Sequence, residues 1–238
     1  MIIDEMWPNG PRFIRNEKVF SIGTDSILLS SFADTGGAKL ACDLGCGSGV
    51  LAIMLAWSNN DLRFDAIDIQ PDAVNIAKQN AELGGMSDRI SLLTGDIRDH
   101  REIFTAGAYD LVVSNPPYFA SGSGKSADDE GTAIARDERQ CTLSDICEAA
   151  AYLTRWGGKF TIVHRPERTA EIICTASLCG LEPKRLRFVQ HTAHSAPNLV
   201  LMECRRGGNP GIKIEAPLIM TNADGSDSTE IKEIYHRR

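Results

Sequence analysis

The chain has 238 residues, of which 42% are hydrophobic and 24% charged, and its formal net charge is −7. This length and composition suit one α/β domain with a substantial core, and no apolar run approaches the roughly 20 residues that a membrane span needs. The acidic balance weakly disfavours nucleic acid as a partner, because phosphate contacts need Lys and Arg, unless basic residues gather on one face.

The N-terminus lacks the basic flank and long apolar stretch of a secretory signal. The seven cysteines include no C-x-x-C pair and are typical of buried, reduced thiols. No clustered His and Cys residues have the spacing of a metal site. These observations predict a cytoplasmic protein with no membrane segment and no metal.

The first half of the chain predicts strands that alternate with helices. The strands are short apolar runs, and the helices carry start and stop signals such as Pro71 before one helix and Gly84-Gly85 after it. We predict strands at 39–44, 63–69, 89–93 and 109–114, and helices at 50–57, 72–83 and, weakly, 98–104.

The second half begins with a polar Gly/Ser/Asp stretch at 120–131, which is typical of a mobile loop beside a site. After it we predict a helix at 143–153, a turn at Gly157-Gly158, a strand at 159–163, a helix from Pro166 to about 179, and two strands at 186–190 and 198–204 that form an antiparallel hairpin. The tail from Gly207 has scattered Gly, Pro, Asp and Ser, so we expect it to pack loosely.

This alternation predicts an α/β fold of the Rossmann-like, doubly wound type. Seven strands would form a mostly parallel sheet with helices on both faces. The closing hairpin would add one antiparallel strand near the C-terminus.

A glycine-rich turn follows the first predicted strand, with Asp43 before it and glycines at Gly45, Gly47 and Gly49. Alternating glycines let a backbone approach a ligand closely, at the sheet edge where open α/β sheets bind ligands. A dinucleotide fingerprint needs its last glycine one residue later, where Val50 stands. The spacing therefore favours a cofactor without a pyrophosphate.

Acidic residues end the next two predicted strands. Asp68 lies about 20 residues after the glycines, where a carboxylate can accept hydrogen bonds from both ribose hydroxyls, and Ile69 follows it. Asp96 is placed to accept from an adenine amine, together with the backbone amide of Ile97. For either acid alone, a helix cap or a solvated charge is the alternative.

The sequence Asn-Pro-Pro-Tyr-Phe follows the fourth predicted strand. Exocyclic amines are poor nucleophiles because their lone pair is delocalised. The side-chain oxygen of Asn115 and a backbone carbonyl aimed by rigid Pro116 can draw such an amine out of its plane, while Tyr118 stacks on the ring. Pro117 and Phe119 complete the predicted substrate-facing set.

This motif could be only a turn, since Asn and Pro are common turn formers. Its predicted position argues against that, because it shares a sheet edge with Gly47, Asp68 and Asp96. Positioning and electrostatic preorganisation would then suffice for catalysis. Together the two motifs predict methyl transfer from S-adenosylmethionine to an amino nitrogen in a planar system.

On these residues the chain resembles the class I S-adenosylmethionine-dependent methyltransferases, in the amino-methylating branch. Four segments resemble the tRNA1(Val) adenine-37-N6 methyltransferase family more specifically, namely 20–29, 115–119, 135–138 and 164–168. The resemblance runs from about residue 20 to residue 203. It implies N6-methylation of an adenosine in a tRNA anticodon loop, with S-adenosylmethionine as the cofactor and tRNA as the partner.

The resemblance also implies roles for residues that spacing alone does not single out. Thr24 and Asp25 would approach the methionine end or the substrate side of the cofactor, and Arg136 and Arg165 would contact RNA phosphates. The single methyltransferase domain would cover residues 1–238, with an N-terminal extension at 1–38 packing over the cofactor site and a C-terminal tail at 207–238.

Several other functions fit parts of the pattern. A glutamine-N5 methyltransferase acting on protein would use the same acceptors, but only about 38 residues precede the first strand, too few for a separate N-terminal substrate domain. N2-guanine methylation follows the same logic. A non-catalytic RNA-binding protein would not need Asn115, and the glycine spacing disfavours an NAD-dependent oxidoreductase.

Overall fold

In the computed structural model, which describes residues 2–15, 23–117 and 141–236, one central sheet carries the apolar strands. Its strands are β3 (Leu40–Leu44), β4 (Arg63–Asp68), β5 (Ile90–Thr94), β6 (Tyr109–Ser114), β7 (Thr154–His164), β8 (Leu181–Gln190), β9 (Pro197–Arg206), β10 (Lys213–Ile214) and β11 (Leu218–Ile219). Their order is β10-β8-β9-β7-β6-β3-β4-β5, with β11 also paired to β8, and β9 alone among these is antiparallel to both of its neighbours.

Helices cover both faces of the sheet, because successive strand residues point to opposite sides. Along β6, for example, Leu111 and Val113 belong to one apolar core and Val112 to the other. The described helices are α1 (Thr24–Phe32), α2 (Val50–Ser58), α3 (Pro71–Leu83), α4 (His100–Ile103), α5 (Leu143–Leu153), α6 (Thr169–Leu178) and α7 (Thr229–Ile234). The predicted doubly wound, mostly parallel fold is confirmed.

The predicted turn at Gly157-Gly158 lies instead within β7, which begins five residues earlier than the sequence indicated. The pairing of β6 with β7 shifts register between Tyr109 and Leu111, so the two glycines occupy an irregular stretch of the strand. A Cβ on Gly158 would lie 2.7 Å from a methyl group of Thr154. The glycines therefore accommodate a bulge rather than end a helix-to-strand connection.

The expectation of a loosely packed tail was wrong. β10 and β11 both pair in parallel with β8, which makes nine strands from the seven long ones predicted. Leu218 and Ile231 are buried in the core. Arg187 donates two hydrogen bonds to the Glu230 carboxylate, at 2.5 and 2.7 Å, and so ties α7 to β8.

At the other end of the chain, β1 (Ile2–Glu5) and β2 (Arg12–Arg15) form an antiparallel hairpin outside the main sheet. The hairpin packs against α3, and Phe13 of β2 is buried in the core. The proposed single domain with its extension over the cofactor site stays a prediction. None of the described helices is long and apolar enough to cross a membrane.

Candidate active site

A cavity of about 580 Å³ lies beyond the C-terminal ends of β3, β4, β5, β6 and β7. The strand order reverses between β3 and β6 at this edge, where open α/β sheets bind ligands. The structure brings most of the predicted site residues together around it: Asp43, Gly45, Gly47, Asp68, Ile69, Asp96, Ile97, Asn115, Pro116, Pro117 and Arg165 line the cavity.

Among the described residues predicted for the site, Thr24 and Gly49 do not line the cavity. Thr24 begins α1, whose neighbouring residues Gly23 and Asp25 do line it. Tyr118, Phe119, Arg136 and the predicted loop at 120–131 lie outside the described residues. Their predicted roles therefore stay predictions.

The glycine-rich turn takes a conformation that side chains rarely adopt. Gly45 and Gly47 have φ angles of 77° and 52°, with nothing within 4 Å of where a Cβ would be, so glycine here permits the turn and leaves space for a ligand. Gly49 has φ 80° as well, but its Cβ would lie 3.1 Å from that of Ala77. The observed contact of Gly49 is thus with α3 rather than with the cavity.

Asp68 shapes the glycine-rich turn in addition to the ribose contact predicted from its position. It is buried, and its carboxylate accepts hydrogen bonds from the backbone N–H of Gly47 at 2.8 Å and of Gln70 at 2.9 Å. These bonds link the turn after β3 to the start of α3. A carboxylate has about four acceptor positions, so the two bonds are compatible with a ligand at the same group.

Asp43 is 1% exposed, and neither of its oxygens forms a hydrogen bond with the described residues. Burial and the nearby negative charge of Asp68 raise the pKa of Asp43 to about 7. The backbone N–H of Ala52 partly opposes this rise, although it lies outside hydrogen-bonding geometry. A buried polar group without a partner is costly. A carboxylate of this kind at a cavity wall fits a ligand that carries a cation.

Asp96 shows the helix-cap role that the sequence left open. Its side chain accepts from the backbone N–H of Arg98 at 2.9 Å, at the start of a 3-10 turn spanning Ile97–Asp99. The Arg98 guanidinium also pairs with both carboxylate oxygens, and these contacts hold the pKa of Asp96 below its usual value. A contact between Asp96 and adenine stays a prediction.

The side chain of Asn115 is oriented by a residue that the sequence pattern did not single out. Its Nδ2 donates a hydrogen bond to Ser26 Oγ at 2.9 Å, and Ser26 lies in the first turn of α1 on the cavity wall. Ser114 Oγ donates to the carbonyl of Leu44 at 2.8 Å, which ties the end of β6 to β3. The one sequence feature that could have indicated Ser26 is its position as a polar residue just before the apolar run 27–29.

Basic residues lie at the cavity beyond β7. Arg165 is exposed there, whereas Arg168 donates to both oxygens of Glu171 at 2.8 and 2.6 Å. His164 is buried and its Nδ1 accepts from the backbone N–H of Arg165 at 2.7 Å. Burial and the positive charge of Arg168 lower the pKa of His164 to about 4, so the imidazole is neutral at pH 7.

The described residues contain no group of three or more His, Cys, Asp or Glu side chains that could hold a metal ion. The residues at the cavity do fit S-adenosylmethionine. Its ammonium group would satisfy the Asp43 carboxylate, and the glycine-rich turn leaves room for close approach. The absence of the extra glycine that a pyrophosphate site needs agrees with this fit.

Comparisons with known proteins define the family. Residues 12–178 match the model of the methyltransferase small domain. The chain is 34% identical to the tRNA1(Val) (adenine(37)-N6)-methyltransferase of Tolumonas auensis, over 88% of this chain and 85% of that protein. It is 32% identical to the enzyme of the same name from Aeromonas salmonicida, over 90% and 88%.

A solved structure shares the fold. It is a predicted O-methyltransferase, Atu636 from Agrobacterium tumefaciens, with a TM-score of 0.71 at 20% identity, covering 90% of this chain and 96% of that one. This structural match shows the fold, and the sequence matches identify the family within it. The chain belongs to the tRNA1(Val) (adenine(37)-N6)-methyltransferase family of S-adenosylmethionine-dependent N-methyltransferases.

Proposed function

We propose that the protein transfers a methyl group from S-adenosylmethionine to N6 of adenosine 37 in the anticodon loop of a valine tRNA. The substrate in this proposal is taken from the names of the relatives. The observation that carries the chemistry is one cavity lined by the glycine-rich turn, by the buried Asp43 carboxylate and by Asn115.

When bound, S-adenosylmethionine supplies an electrophilic methyl group on a sulfonium. Gly45 and Gly47 would let the backbone approach it, and Asp43 would accept hydrogen bonds from its ammonium group. Asp68 would accept from the ribose hydroxyls, and Asp96 with Ile97 would contact the adenine. These groups are preformed in the fold, which limits the reorganisation needed for reaction.

The target amine would donate hydrogen bonds to Asn115 Oδ1 and to the backbone carbonyl of Pro116. Because Ser26 holds the nitrogen of the Asn115 amide, the oxygen is the group presented on the other side. Two acceptors draw the amine out of the ring plane and localise its lone pair toward the methyl group. The extra proton leaves to water after transfer, since the methylated amine is then strongly acidic.

An adenosine in a loop can be splayed out of its stack into a pocket. Pro117 would border that pocket, and Tyr118 and Phe119 would follow it in the chain. Arg165, exposed at the cavity rim, would contact an RNA phosphate, as would Arg136. A local patch of this kind is compatible with a net charge of −7, and a tRNA substrate implies a cytoplasmic enzyme.

The proposal is tested with two unmodified valine tRNA transcripts that differ only at position 37. We expect labelled S-adenosylmethionine to methylate the transcript with adenosine at that position and to leave the one with guanosine unlabelled. Equal labelling of both would contradict the proposed position. Label that enters only added protein would support a glutamine-N5 methyltransferase instead.

A further inference from the structure

Asn80 joins the glycine-rich turn to the N-terminal hairpin, although it lies on α3, none of whose residues lines the cavity. The side chain is 1% exposed. Its Oδ1 accepts a hydrogen bond from the backbone N–H of Ile14 at 2.8 Å, and its Nδ2 donates one to the backbone carbonyl of Ser48 at 2.9 Å. One amide therefore bridges segments 66 and 32 residues away in the chain.

One of the two partners lines the cavity, and the other belongs to the N-terminal hairpin. Ser48 is part of the glycine-rich turn and lines the cavity itself. Ile14 lies in β2 of the N-terminal hairpin. The Asn80 amide thus connects the predicted cofactor side of the site with the N-terminal hairpin.

Asparagine matches the two hydrogen-bonding partners at this position, although it is an unfavourable residue in the interior of a helix and at a buried position. It is less favourable than alanine inside a helix, and its burial is costly unless both halves of the amide are bonded. Here both halves are bonded to backbone groups. Aspartate would keep the acceptor but lose the donor, and leucine would lose both.

We infer that Asn80 is a positioning residue for methyl transfer, which holds the glycine-rich turn in the geometry that binds the cofactor and fixes the N-terminal hairpin to it. Only the methyl-transfer part of this inference rests on the proposed function. Its cofactor part concerns the binding of S-adenosylmethionine and needs no RNA. The two parts are therefore separable by experiment.

The test compares Asn80→Asp with Asn75→Asp, which makes the same change at an exposed position of the same helix. We expect Asn80→Asp to raise the dissociation constant of S-adenosylmethionine about tenfold by calorimetry, since one hydrogen bond is lost and a carboxylate faces the Ser48 carbonyl. Asn75→Asp should leave it unchanged. Thermal unfolding confirms that each variant is folded at the assay temperature.

A folded Asn80→Asp protein with wild-type cofactor affinity would overturn the inference, because it would show that the bridge serves stability alone. If that variant does not fold, hydrogen exchange of the wild-type protein provides the test. Saturating S-adenosylmethionine should then raise protection in peptides covering both 45–49 and 12–15. Protection that rises at the turn and stays unchanged at the hairpin would overturn the inference.

A wild-type protein that binds the cofactor but does not methylate tRNA would refute the proposed function while leaving the cofactor part intact. Where tRNA is methylated, single-turnover rates at saturating cofactor give a second readout. We expect Asn80→Asp to remain slower than wild type there, because the carboxylate still faces the Ser48 carbonyl and displaces the glycine-rich turn when the cofactor is bound. A rate fully restored by saturation would limit the role of Asn80 to cofactor binding and overturn the methyl-transfer part.

Discussion

Replacing Ser26 with alanine should slow methyl transfer without weakening cofactor binding. The hydroxyl accepts the 2.9 Å hydrogen bond that fixes the Asn115 amide. Without it, the amide can turn and present its NH₂ group, a donor, to an amine that needs an acceptor. A neutral hydrogen bond contributes about 1 kcal/mol, which corresponds to roughly a fivefold loss of rate.

The assay is single-turnover methylation of tRNA at saturating cofactor and tRNA, beside the dissociation constant of S-adenosylmethionine. Ser31→Ala is the matched control, because Ser31 lies on the same helix, is exposed and donates only to the Leu28 carbonyl within that helix. Ser26→Thr keeps a hydroxyl and should retain more activity than Ser26→Ala. A Ser26→Ala rate equal to wild type would refute the orienting role.

Three further predictions concern stability. Asp43 has a pKa of about 7 in the folded, cofactor-free protein, against 3.8 for an ordinary aspartate. The stability that goes with its neutral form is therefore fully present below pH 3.8 and is lost as the pH rises through 7. Thermal unfolding of Asp43→Asn should therefore shift in the variant's favour by roughly 2.5 kcal/mol between pH 5 and pH 8, and a constant difference would contradict this. Arg185 forms an ion pair with the buried Glu203 at 2.9 Å, so Arg185→Leu should lower the free energy of unfolding in urea by about 3 kcal/mol. The double variant Arg185→Leu with Glu203→Gln should recover part of this loss, and an equal loss in both variants would refute the pairing. Gly49→Ala forces a side chain into φ 80° and against α3, so it should cost about 1–2 kcal/mol, whereas an unchanged unfolding midpoint would contradict the packing role.

The alternation of strands and helices could be predicted because each element carries a local pattern of apolar residues. Since the carboxyl ends of parallel strands meet at one edge of the sheet, the sequence alone also predicts that Gly47, Asp68 and Asn115 lie together. The tail was mispredicted because strands of two residues, such as β10 and β11, have no period to detect. Their pairing is instead dictated by the exposed edge of β8.

The contacts that orient the site could not be predicted from local patterns. Ser26 and Asn115 are 89 residues apart, and Asn80 is 66 residues from Ile14. Such pairs depend on how α1 and the N-terminal hairpin pack against parts of the fold that are distant in the chain. The burial of Asp43 without a hydrogen-bond partner among the described residues likewise depends on tertiary packing that no single segment encodes.

The most direct measurement is methyl transfer from labelled S-adenosylmethionine to total tRNA from a strain that lacks this protein. Wild type is assayed beside Asn115→Ala, and the products are digested to nucleosides and identified by mass spectrometry. We predict N6-methyladenosine with wild type only, because Asn115 supplies the acceptor that activates the amine. Unmethylated tRNA despite bound cofactor would contradict the acceptor assignment, and full activity of Asn115→Ala would contradict the mechanism.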